Sequence, residues 1–97
     1  MLTHEQIVQA VEKAATKFPL TKVSYFGSYA DGNATEESDL DVLVEFANDD
    51  DISLLDVVKV KCNLEDELMV KVDVLHAPVP EKAMLIIKKT VPVYEQT

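Results

Sequence analysis

Gly27-Ser28, then Asp39 and Asp41 ten residues further on, then Asp73 inside an apolar run, are the residues whose types and spacing could do chemistry. A glycine lets backbone N–H groups approach an oxyanion, and an adjacent serine hydroxyl adds a donor, so Gly27-Ser28 suits a phosphate. Asp39 and Asp41, one residue apart on an expected strand, project from the same face. Two such carboxylates suit magnesium, which binds through one or two protein carboxylates together with substrate phosphates. Asp73 lies between Val72 and Val74, where an unpaired carboxylate is costly. If all three strands share a sheet, the three aspartates converge into a concentrated negative site that cations neutralise.

The elements that must position these residues follow from periodicity. Thr3 and Gln6 have capping-box spacing, and Ile7, Val8, Val11, Ala14, Ala15 and Phe18 recur on one helical face, which predicts a helix over 4–17 ended by Pro19. A short strand is expected over 22–26, running into a loop at Gly27. Alternation over 39–46 places Leu40, Val42, Val44 and Phe46 on one face and Asp39, Asp41, Leu43 and Glu45 on the other. The acidic cluster at 48–51 reads as a turn and helix start, followed by a helix over 52–68 with Leu54, Leu55, Val57, Val58, Leu64 and Leu68 as its buried stripe. A third strand over 69–75 has Val70, Val72 and Val74 opposite Lys71, Asp73 and Leu75. Pro78 and Pro80 break the chain before a short helix over 81–89, and 91–94 reads as extended. The prediction is an α+β domain over residues 1–97, a mixed sheet of three to four strands with helices packed on one face.

Composition bounds the function. The chain has 97 residues, 47% apolar and 28% charged, which is ordinary for a folded globular domain. No apolar run approaches the roughly 20 residues that span a bilayer, and the first residues do not read as a signal peptide. A single cysteine, Cys62, allows no internal disulfide and is expected to pack rather than react. These features point to the cytoplasm. The net charge is −9 and every basic residue is a lysine. Direct nucleic-acid binding, which draws on cations displacing counterions, is therefore disfavoured, and a basic protein partner is favoured. His4 and His76 read as surface residues, and Tyr25, Tyr29 and Tyr94 as packing or adenine-side residues.

The pattern Gly27-Ser28, ten residues, Asp39-Leu40-Asp41, then Asp73 resembles the DNA polymerase beta-like nucleotidyltransferase superfamily. The small size and the ending VPVYEQT make it similar to the minimal nucleotidyltransferases, the MNT antitoxins paired with HEPN toxins. The resemblance implies that Gly27 and Ser28 hold the triphosphate of ATP and that Asp39, Asp41 and Asp73 are catalytic and bind two Mg2+ ions. It further implies transfer of AMP to a hydroxyl, typically a tyrosine of the HEPN ribonuclease, within a hetero-oligomer. Family members commonly carry an arginine one or two residues before the second glycine, where this chain has Asp31 and Ala30. The alternatives are an acidic antitoxin that masks its toxin without chemistry, and a nucleotidyltransferase acting on a small molecule.

Overall fold

A computed structural model describes residues 1–47, 52–76, 81–87 and 89–96. The elements run α1 (His4–Lys17), β1 (Leu20–Phe26), α2 (Ser28–Asp31), β2 (Leu40–Phe46), α3 (Leu54–Leu68), β3 (Val72–His76), α4 (Glu81–Ile86) and β4 (Val91–Glu95). The residues expected at the acidic turn, 48–51, and the breaker prolines Pro78 and Pro80 lie outside the described residues.

Helix α1 has the predicted bounds because its signals are local. Thr3 Oγ1 accepts the Gln6 N–H at 3.2 Å, and Gln6 Oε1 accepts the Thr3 N–H at 2.8 Å, so two otherwise unpaired amides are satisfied reciprocally. The helix ends at Phe18, whose N–H still donates to the Ala14 carbonyl, and Pro19 stops it. Helix α3 begins two residues later than expected. Ser53 is its N-cap, and the Asp56 carboxylate returns to the Ser53 N–H at 3.0 Å. That carboxyl sits below its usual range because the Ser53 backbone and hydroxyl both donate to it.

The four strands form one mixed sheet in the order β3-β2-β1-β4. β1 pairs antiparallel with β2 and with β4, whereas β2 and β3 are parallel. α3 occupies the crossover that a parallel pair requires. β4 is an edge strand, which accommodates Pro92 and its missing N–H.

One face of the sheet forms the core with α1 and α3. Leu40, Val42, Val44 and Phe46 on β2, Val23 on β1 and Val72 on β3 meet Ile7, Val11 and Ala14 of α1 and Val57, Val60, Leu64 and Leu68 of α3. Each fully buried aliphatic side chain contributes about 1.5–3 kcal/mol relative to exposure. The buried stripe of α3 differs from the predicted one. Leu54 is 76% exposed, Leu55 62% and Val58 42%, while Val60 is fully buried. Successive i, i+3, i+4, i+4 steps from Val57 to Leu68 define a face that excludes Leu54 and Val58, and docking selects that face. Cys62 lies on the outer side of the same helix and is exposed, so the expectation that it packs is overturned.

Candidate active site

The site begins where β1 ends. Gly27 has φ +72° and ψ −146°, a region essentially confined to glycine, and this sharp change of direction starts α2. The expected loop is therefore a single helical turn: Asp31 N–H donates to the Gly27 carbonyl at 3.0 Å and Asn33 N–H to the Ser28 carbonyl at 2.9 Å. Gly32 closes it in the left-handed conformation with φ +78°. No side chain caps the start of the turn. Ala30 is buried in the core and Asp31 is exposed, so of the two positions only that of Asp31 could hold a long charged side chain without disturbing packing.

A second tight loop delivers the aspartates. Thr35 N–H donates to Ser38 Oγ at 2.8 Å, Ser38 N–H donates to the Thr35 carbonyl at 3.1 Å, and Glu37 N–H reaches Thr35 Oγ1 at 3.3 Å. These bonds order the approach to Asp39, which immediately precedes β2. The threonine and serine three residues apart are the sequence signal for this loop.

The register then decides what the aspartates meet. Asp41 stands opposite Phe26 on β1 and opposite Asp73 on β3. Leu40 N–H donates to the Lys71 carbonyl at 2.9 Å, which places Asp39 just before the first paired residue of β2. Asp41 is half-buried, whereas Asp39 and Asp73 are exposed. The Asp41 carboxyl is pushed up from its ordinary 3.8 by burial first, then by the charges of Asp73 and Asp39, and by a hydrogen bond with the Asp73 carboxyl. Asp41 therefore lies within the fields of both Asp73, its cross-strand partner, and Asp39. On the other side, a β-carbon added to Gly27 would collide with Asp41 Oδ2 and lie 3.3 Å from its Cγ.

This donor set fits magnesium in kind: hard carboxylate oxygens on one open sheet face, with mutual repulsion that a cation offsets. Among the described residues no three histidine, cysteine, aspartate or glutamate side chains are gathered into a metal cage. Magnesium does not need one, since water and phosphate oxygens complete its octahedron. His4, Tyr25 and Tyr29 make contacts of their own with the N-terminal segment. His4 Nδ1 lies 3.0 Å from the hydroxyl of buried Tyr25, and Tyr29 Oη accepts the Leu2 N–H at 3.4 Å. Glu65, whose carboxylate reaches β3, was not foreseen.

The chain is thus a small α+β domain in which a glycine turn abuts a carboxylate pair on the open face of a mixed sheet. Residues 7–93 match the family model described as nucleotidyltransferase domain, and the chain belongs to that family. It is similar to the protein adenylyltransferase MntA of Thermococcus cleftensis, with 34% identity over 79 residues, 77% of this chain and 78% of the relative. It is also similar to a candidate protein adenylyltransferase of Methanocaldococcus jannaschii, 48% identical over 59 residues, and spans 61% of that relative's length. Among solved structures, a complex of a tri-AMPylated HEPN toxin with an MNT antitoxin from Shewanella oneidensis superposes with a TM-score of 0.71. That match covers 97% of this chain and 74% of the neighbour at 15% identity, a likeness of fold.

Proposed function

We propose that this chain is the antitoxin nucleotidyltransferase of a HEPN/MNT pair, transferring AMP from ATP to a tyrosine hydroxyl of a HEPN-family ribonuclease toxin and thereby silencing it. The observation that carries the reading is the Asp41–Asp73 pairing beside the Gly27 turn. The names of the relatives support it: one is a protein adenylyltransferase, and the antitoxin neighbour is bound to an AMPylated toxin. The net charge of −9 suits a basic partner, whose approach it would steer in a hetero-oligomer in the cytoplasm.

In this reading Gly27, Ser28 and the amides of the uncapped turn grip the terminal phosphates. Asp39, Asp41 and Asp73 would hold two Mg2+ ions, which when bound neutralise phosphate charge and lower the pKa of the incoming hydroxyl. Asp73, exposed at the start of β3, accepts the hydroxyl proton. The acceptor oxygen bonds to the α-phosphorus, the bond from that phosphorus to the bridging oxygen breaks, and pyrophosphate leaves. The open face leaves room for a folded protein as acceptor.

The charge and the exposed Asp31 also favour a second reading, in which an acidic surface masks the toxin without chemistry. One experiment separates them. The toxin is incubated with this chain, ATP and Mg2+, freed in high salt, weighed by intact-mass spectrometry and assayed for ribonuclease activity. A toxin heavier by AMP and inactive after separation supports transfer. A toxin of unchanged mass that regains full activity removes the transferase reading and leaves masking.

A further inference from the structure

β3, which carries Asp73, is an edge strand and among the described residues has a neighbouring strand on one side only. An edge strand draws less of its register from the sheet than a central one does, and a slip of one residue would turn Asp73 toward the core. Something must hold this strand in place. The chain enters β3 directly from α3. Met69 ends the helix in the left-handed conformation, φ +58°, with its N–H on the Glu65 carbonyl at 2.8 Å. Only Val70 and Lys71 then separate it from Val72.

Glu65 is attached to this entry twice. Its backbone carbonyl receives Met69 N–H, and its side-chain Oε2 accepts the Val72 N–H at 3.0 Å. Lys61 Nζ, one helical turn earlier, lies 3.2 Å from the same oxygen. The carboxyl is held below its usual range by the Val72 N–H first, then by Lys61, with Lys71 adding a further favourable charge. On the opposite side of the same short segment, the Lys71 carbonyl receives Leu40 N–H from the start of β2. The residue just before Asp73 is thus gripped from the helix, and the residue before that from the strand bearing Asp39 and Asp41.

We infer that Glu65 is a positioning residue of the site: its carboxylate, bonded to the amide of Val72, sets β3 in the register that brings Asp73 beside Asp41. The inference rests on the reading of Asp41 and Asp73 as cation ligands, and concerns a side chain that touches neither substrate nor cation. Groups that orient metal ligands from behind typically change metal affinity by about 10–100-fold when removed. Glutamate is suited to the task because its length lets it span from the last full turn of α3 to the start of β3. Glutamine retains an oxygen acceptor at the same reach.

The test uses the full chain and Mn2+ alone as probe, followed by paramagnetic broadening of backbone amide resonances. In the wild type, Mn2+ should broaden the amides of Asp41 and Asp73 together. Glu65→Ala should remain folded by circular dichroism yet bind Mn2+ at least about tenfold more weakly, with the Val72 amide losing its protection from exchange. Glu65→Gln should restore both affinity and protection. If Glu65→Ala does not fold, Glu65→Asp, too short to reach Val72, carries the same comparison. Wild-type affinity and Val72 protection in the folded Glu65→Ala or Glu65→Asp variant would overturn the inference. Were Mn2+ to leave the wild type unperturbed, the metal reading would fail by itself. Glu65 would then be judged by Val72 amide exchange and the Asp41–Asp73 cross-strand nuclear Overhauser contact. Loss of protection and contact in Glu65→Ala supports the positioning role; retention of both overturns it.

Discussion

Gly27 and Asp41 share a space that admits only one side chain. The carboxylate of Asp41 occupies the position a β-carbon on Gly27 would take, and the Gly27 backbone lies at φ +72°. The turn proposed to hold phosphate and the carboxylate proposed to hold magnesium are therefore mutually fitted, with no room between them for an alanine.

Gly27→Ala should consequently lose most transfer activity while staying folded. Forcing a non-glycine residue into this backbone region costs about 1–3 kcal/mol, and the displaced Asp41 adds a functional loss of about 100-fold, the scale of losing a directly acting polar group. Gly32→Ala is the control. It also has positive φ, +78°, but nothing within 4 Å of a new β-carbon, so it should cost about 1–2 kcal/mol and leave turnover unchanged. Thermal unfolding and initial rates on both variants check the contrast; equal losses of activity would show that the Gly27–Asp41 contact has no special role.

Asp41→Asn should stabilise the protein near neutral pH. Burial and the charges of Asp73 and Asp39 raise the Asp41 pKa above 3.8, so in the window just above 3.8 the folded state binds more proton than the unfolded state. Its contribution to stability is accordingly lost as pH rises through the folded pKa, and is unperturbed below the unfolded one. The variant's advantage should appear as pH rises and vanish toward pH 3.8. Asp56 and Glu65, both lowered, behave oppositely: their contributions are present above the ordinary carboxyl range and fade as pH falls through their folded values. Urea titrations of wild type and Asp41→Asn across pH provide the check. Adding Mg2+ should then stabilise the wild type, by about 2.7 kcal/mol at a hundredfold excess over its dissociation constant, and leave Asp41→Asn unmoved.

Ser28→Ala and Asp73→Asn should fail in different kinetic parameters. Ser28 is proposed to grip phosphates in ground and transition states alike, so its loss should raise KM for ATP with kcat nearly kept. Asp73→Asn removes both a ligand and the proton acceptor and should lower kcat by at least about 100-fold, the lower bound for a group that moves a proton at the reacting atoms. Steady-state kinetics with a toxin acceptor distinguish the two. Identical kinetic signatures would refute the division of labour.

The two faces of α3 should respond differently to substitution. Val60→Ala, at a fully buried position, should cost about 2 kcal/mol, at the low end for removing core aliphatic groups. Leu55→Ser, at a position 62% exposed, should remain within about 0.5 kcal/mol of wild type. Chemical denaturation midpoints decide this, and a larger loss at Leu55 would mean that the helix docks through its other face.

The bounds of α1 were legible because a capping box, an apolar period and a following proline all act within a few residues. The alternation of β2 was legible for the same reason: side chains on a strand switch faces by covalent geometry, so Asp41, Leu43 and Glu45 had to share one. The Gly27-Ser28 unit and Asp73 stand out as candidates from their types and spacing. Alternation states which face a residue takes and nothing about which strand lies beside it. That β3 runs parallel to β2, at the sheet edge, with Asp73 opposite Asp41, depends on the α3 crossover and on pairing between residues far apart along the chain. The same holds for α3, whose sequence offers apolar residues on two faces. Only docking against the sheet buried Val60 and left Leu54, Leu55, Val58 and Cys62 outside, because the sheet offers one apolar face for α3 to cover.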